Sequence, residues 1–184
     1  MAMKKPEFDQ AVRRHLHPSM ALAGLKPLRA CVYGVRQPKG DWLMIHVQSN
    51  GFPWVVEFGA DVTLTVVRAS EPEVGRGVRA RLGAFLRPGT RKFLQLKRTE
   101  VLSRHRPPAP HDGSSFSELL QAGIEARFDL SAPLPRDVWL PFWAPDELEM
   151  WLRWLATDAV GPIVEEARRA WVLHELSLPV TPVV

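Results

Sequence analysis

Apolar residues in the first two dozen positions recur every four, with Phe8, Val12, Leu16 and Met20 forming one stripe at helical spacing. The pattern predicts a helix over 5–23, with Pro6 in its first turn, where a missing N–H costs nothing, and Gly24 as its stop. From Ala30 to Ala69 the period drops to two and β-branched and aromatic residues dominate short runs between turn residues, the sign of an antiparallel meander. Four strands are predicted there, over about 31–36, 42–49, 54–58 and from Asp61 to Val66. Gln37-Pro38-Lys39-Gly40-Asp41 suits the hairpin loop between the first two. The second strand puts Trp42, Met44, His46 and Gln48 on one face and Leu43, Ile45 and Val47 on the other, and the fourth sets Val62, Leu64 and Val66 against Asp61, Thr63 and Thr65. Such alternation predicts a sheet with a core face and a wet face.

Beyond the meander, Glu71–Gly77 reads as loop, Val78–Leu86 as a short helix before Pro88-Gly89, and 91–98 as a fifth strand. The stiff, aperiodic Pro107–Gly113 run crosses the surface without marking a domain boundary. Ser115 and Glu118 make a capping-box pattern ahead of a helix over about 116–128. Pro145-Asp146-Glu147 starts another helix, with Leu148, Trp151, Leu152 and Leu155 on one side, and Gly161-Pro162 opens a last one running to about Leu176. No internal repeat is visible. These elements predict a single α+β domain over 1–184, in which an antiparallel sheet of about four to six strands carries an N-terminal helix and C-terminal helices on one face.

Composition narrows the class. At 184 residues and 46% apolar the chain can bury a core of its own, and disorder or a fibrous fold is excluded. No window holds the roughly 18 apolar residues of a membrane span, and Met1-Ala2-Met3-Lys4-Lys5-Pro6 leads into an amphipathic pattern rather than a signal core, so neither secretion nor a membrane partner is expected. The lone Cys31 excludes an internal disulfide and a cysteine zinc site, which points to a reducing, cytoplasmic address.

The formal charge of +4 conceals a division. Residues 1–106 hold 19 basic against 8 acidic residues, and residues 107–184 hold 5 against 12. Between Arg76 and Arg106 ten basic residues, among them Arg76, Arg79, Arg81, Arg87, Arg91 and Lys92, face Glu100 alone. Such a stretch can displace counterions from nucleic acid, or it can pack near the acidic half or face water. Its aromatic interleaving is thin, with Phe85 and Phe93 only.

Catalytic and metal templates fail. There is no Gly-x-Ser-x-Gly elbow, no phosphate-cradling Gly-x-x-x-x-Gly-Lys loop and no His-Glu-x-x-His pair. His15 and His17 point about 200° apart on one helix and cannot share a metal. No catalytic residue, metal or cofactor is therefore assigned, and the sequence supplies no constellation that supports an enzymatic reading.

Aromatic placement says more. Five of seven Trp lie beyond residue 138, and Val138-Trp139-Leu140-Pro141-Phe142-Trp143 is almost wholly apolar, fit to hinge the last helices onto the sheet. One helix cannot turn Met150, Trp151, Trp154 and Leu155 all inward, so Trp154, Met150 and Trp143 are candidate anchors for a protein partner. Trp42, Met44, His46 and Gln48 are the alternative, a ligand groove with His46 and Gln48 as polar handles, although packing and cross-strand hydrogen bonds are the commoner use of such residues.

The order of a first helix, Trp42 through Val47-Gln48-Ser49, Trp54 to Phe58-Gly59, and Trp143-Ala144-Pro145-Asp146-Glu147-Leu148 opening a terminal helix pair resembles a family of uncharacterised bacterial proteins known as a domain of unknown function. The resemblance spans most of the chain except 70–106 and implies an α+β fold in a small bacterial cytoplasmic protein. It supplies no catalytic residues, and by analogy it suggests an immunity or accessory factor that binds another protein.

Overall fold

The computed structural model describes residues 3–51, 59–73, 77–105, 122 and 138–173, with side chains described as far as Arg169. Helix α1 spans Lys5–Leu22 and buries Phe8, Val12, Leu16 and Met20, the predicted stripe. Removing each of these from water contributes roughly 1.5–3 kcal/mol before chain entropy is counted. At its start the Glu7 carboxylate accepts the Lys4 N–H at 2.8 Å. At its end Gly24 takes φ +79° and donates to the Ala21 carbonyl, while the Leu25 N–H reaches back to Met20. This pair of bonds is a Schellman stop, which favours glycine.

Six strands follow: β1 Lys26–Arg29, β2 Val32–Arg36, β3 Trp42–Gly51, β4 Ala60–Ala69, β5 Val78–Arg81 and β6 Leu140–Phe142. They form one antiparallel sheet in the order β1-β2-β3-β4-β5, with β6 also paired to β4. The β2–β3 hairpin turns through the predicted loop, where the Gln37 N–H meets the Asp41 carbonyl at 2.7 Å. The longest pairing runs from Trp42↔Ala69 to Gly51↔Ala60. On its other edge β4 takes β6 at Ala60–Val62 and β5 at Thr65–Arg68.

Two helical regions complete the order. Helix α2 is Pro88–His105, after a 3-10 turn over Leu82–Phe85. Then α3, Pro145–Trp154, passes through a π turn at Leu155–Ala159 into α4, Val160–Leu173. The main core lies between the Leu43–Val47 and Val62–Val66 face of the sheet, α1, and the inner side of α3 and α4 with Leu148, Trp151, Leu152 and Leu155. Buried Trp151 gives its indole N–H to the Pro141 carbonyl at 2.7 Å, tying α3 to β6. The architecture is the α+β arrangement expected, and no helix among the described residues is long and apolar enough to cross a membrane.

Several local expectations are corrected. Val78–Leu86 is not a helix: its first four residues pair with β4, and only the rest coils. Residues 91–98 are not a strand but the middle of α2, whose buried residues are Leu94, Val101 and Leu102. That spacing emerges only over two turns, whereas the shorter window shows mere alternation. Pro88 opens this helix rather than ending one. β1 had no counterpart in the sequence reading, because Lys26-Pro27-Leu28-Arg29 looks like a linker and pairs only as an edge strand. Gly161-Pro162 opens no separate helix either. The wider π turn sits directly ahead of Pro162, which has no N–H for the Asp158 carbonyl and a ring that would press on it, so the rod continues. The sheet has no simple wet face, since Asp61, Thr63, Thr65 and Val67 of β4 are as buried as Val62, Leu64 and Val66. The strand expected at 54–58, the Pro107–Gly113 run and, apart from residue 122, the helix at 116–128 lie outside the described residues.

Gly77 leads into β5 at φ +110°, and a Cβ there would sit 2.0 Å from the Arg68 carbonyl oxygen. Gly161, inside α4, has open space around the same position. Gly77→Ala is expected to cost at least about 1–3 kcal/mol, whereas Gly161→Ala is expected to be neutral or to gain up to about 1 kcal/mol. Urea unfolding of both variants checks the contrast, and equal effects would contradict it.

Candidate functional site

Two regions gather the residues singled out in the sequence. The first joins α2 to α3. Phe93 stacks on Trp154 with ring centroids 6.4 Å apart and planes 28° from parallel. Trp154, Met150 and Trp143 are each half-buried and pack against the main core. Phe93, 43% exposed, and Leu96, 63% exposed, stand on α2 on the side away from buried Leu94. The exposed base Lys92 is the chain neighbour of Phe93, and exposed Arg87 precedes the helix.

Trp143 has a second neighbour. His105, at the end of α2, lies flat on its ring with centroids 4.4 Å apart and planes 10° from parallel, and its Nε2 is 2.6 Å from Glu147 Oε1. The other Glu147 oxygen accepts the Trp143 N–H at 2.8 Å and the Ala144 N–H at 3.3 Å. Glu147 thus caps α3 with one oxygen and holds α2 with the other. Both carboxylate oxygens are spent on holding the helices together, so the pair serves as a brace. The acid at the third helical position was legible in the sequence, but its partner His105 was not, because 42 residues separate them.

The second region is the face of the sheet opposite the main core. Here Trp42 and Met44 fall in with packing: Met44 is buried with Val32, Val67 and Ala69, and Trp42 lies against that cluster. His46 and Gln48 sit further along β3, opposite Thr65 and Thr63 of β4. Arg81 of β5, opposite Thr65, joins them. Its Nη1 donates to Gln48 Oε1 at 2.5 Å and to Thr65 Oγ1 at 2.7 Å, and the Thr65 hydroxyl donates to the same Gln48 oxygen at 2.6 Å. The guanidinium lies over the Trp139 ring, 5.0 Å from its centroid. Buried Thr63 donates to the Val138 carbonyl at 2.6 Å, which fixes the approach to β6 from the same side. Arg81 belonged to the basic stretch in the sequence and had no visible link to Gln48, since only the β4–β5 register brings them together.

His46 is half-buried, and its Nδ1 is sealed with no hydrogen-bond partner. Burial, with Arg29, Arg81, Arg79 and Lys5 adding repulsion, pulls its pKa down to about 4, so the ring is neutral near pH 7. Cys31, at φ +57° between β1 and β2, is buried with its thiol 3.1 Å from Asp9 Oδ1. Burial and that carboxylate push the thiol up to about 12, so it remains protonated.

The basic stretch is dispersed. Arg81 is engaged as described, Arg91 donates to the Gly83 carbonyl at 2.5 Å, and Lys97 and Arg104 both pair with Glu100. Arg79 is half-buried, and Arg76 lies outside the described residues. No group of three or more potential metal ligands occurs among the described residues.

No family model, curated protein or solved structure matches the chain.

The depressed His46 pKa has a definite sign in stability. The unfolded chain takes up a proton near pH 6.5 and the folded chain only near pH 4, so folding loses stability as pH falls between these values. His46→Gln is expected to flatten that part of the stability profile, and the His46 ring signals are expected to titrate near pH 4. A midpoint at or above 6 would contradict the assigned burial.

Proposed function

We propose that the chain is a non-catalytic protein-binding module that uses the exposed side of α2, with Trp154 and Met150 behind it, to hold a partner protein. The observation that carries this reading is the exposure of Phe93 and Leu96 on a helix whose other side is already packed. An aromatic ring held by stacking on Trp154 is a pre-ordered anchor, and little side-chain entropy remains to be lost when a partner covers it. Exposed Lys92 stands next to Phe93 and exposed Glu100 one turn beyond Leu96, so the complementary surface is an apolar stripe with charges of both signs at its edge. Trp143 belongs to the brace with His105 and stands behind the contact. An immunity or accessory factor of a bacterial cytoplasm, as the family resemblance suggests, fits a module of this kind.

Nucleic-acid binding has weaker support. Three of the cations it would use, Arg91, Lys97 and Arg104, are already held by neighbours within the chain. Phosphate contacts need side chains free to reach outward.

The test is affinity capture from the native host with the wild-type chain, a Phe93→Ser/Leu96→Ser variant and Leu22→Ser, the last altering a still more exposed apolar residue elsewhere, at the end of α1. Wild type and Leu22→Ser are expected to retain the same stoichiometric protein, and the double variant to lose about tenfold or more in affinity. Unchanged capture by the double variant would overturn the reading. So would a gel shift with nucleic acid that weakens steeply with salt while no protein is captured.

A further inference from the structure

We propose that the sheet face around His46, Gln48 and Arg81 binds a small oxyanion, the carboxylate or phosphate group of a low-molecular-weight ligand. This site is separate from the docking face of α2 and does not depend on it.

The argument is one of hydrogen-bond direction. The Gln48 amide oxygen already accepts from the Thr65 hydroxyl and from Arg81, which turns its NH2 end away from both as an outward donor. Thr65 is used up, donating to Gln48 and accepting from Arg81. His46 has a sealed, unpaired Nδ1. A buried N–H without an acceptor is costlier than a buried lone pair, so the neutral ring keeps its proton on Nε2, on the side that meets solvent. Gln48 and His46 therefore both present N–H groups, two residues apart on the same face of β3, beside a guanidinium fixed against Trp139.

Location supports the same chemistry. His46, Gln48, Arg79, Arg81 and Trp139 are all half-buried, so a ligand can reach them, while Thr63 and Thr65 beneath are closed off from solvent. Partial burial strengthens charge-assisted hydrogen bonds relative to open water. Arg29, Arg79, Arg81 and Lys5 all act on His46 with positive sign. Among the described residues of β4, the carboxylate on this face is that of Asp61, opposite Asn50 and two positions beyond Gln48 along β3. A neutral imidazole donor beside a fixed guanidinium suits an anion, because binding one requires no proton uptake near neutral pH.

The experiment is an NMR titration of the isotope-labelled full chain at constant ionic strength near neutral pH, with acetate in one arm and inorganic phosphate in the other. A saturable shift of the His46 ring and Gln48 amide signals, with a Kd of about 1 mM or tighter, is expected in at least one arm. Saturation by acetate alone assigns a carboxylate ligand, and saturation by phosphate alone a phosphorylated one. Thr65→Val keeps the strand shape and removes the hydroxyl that seats both Gln48 and Arg81. It is expected to weaken binding about tenfold, as is Arg81→Gln. Shifts that stay linear far beyond that concentration in both arms overturn the proposal, as does saturable binding unaffected by Thr65→Val. The wild-type titration decides even if Arg81→Gln does not fold.

Discussion

The structure depends on β4 being enclosed in every direction. Its backbone is paired along its length to β3 on one edge and to β5 and β6 on the other, and its side chains are buried on both faces. A strand so placed has no water to satisfy any polar group it carries. Each must find a partner within the chain, because an unpaired buried donor or acceptor costs about 1–3 kcal/mol. Thr63 therefore reaches the Val138 carbonyl, and Thr65 engages Gln48 and Arg81. Through these two hydroxyls the strand positions the approach to β6 and the polar cluster beside His46.

The two faces then take different roles. Val62, Leu64 and Val66 supply the apolar floor on which α1 and the α3–α4 rod rest, and the Trp151–Pro141 hydrogen bond fastens the rod to β6. α2 adds Leu94 and Val101 to that core and meets α3 through the Glu147–His105 brace, leaving Phe93 and Leu96 facing outward. Toward its β1 end the opposite face closes with Met44, Val32 and Val67. Around His46, Gln48 and Arg81 it stays polar and partly open. The proposed docking and anion-binding sites thus fall on separate surfaces.

What was legible in the sequence follows from the range of the interactions concerned. The α1 stripe, the Gln37–Asp41 hairpin and the start of α3 at Pro145 depend on residues within about a turn of one another, and each shows as periodicity or capping chemistry. α2 was hidden because three inward residues in eighteen make a faint helical signal. β1 and β5 are four residues each and exist only by pairing with their neighbours. The burial of Thr63 and Thr65 was misread because alternation reveals which residues share a face but not what covers that face. The same limit governs the sites. His46 and Gln48 could be placed together from strand spacing alone, while Arg81 needed the β4–β5 register and His105 needed the packing of α2 on α3.

The most direct measurement of the central claim is amide hydrogen exchange along the whole chain. If the fold depends on β4, its amides from Val62 to Val67 exchange only through global unfolding and are the slowest in the protein, with those of β3 alongside. Faster exchange in β4 than in α1 or the α3–α4 rod would show that the helices hold together without it, and would contradict the account.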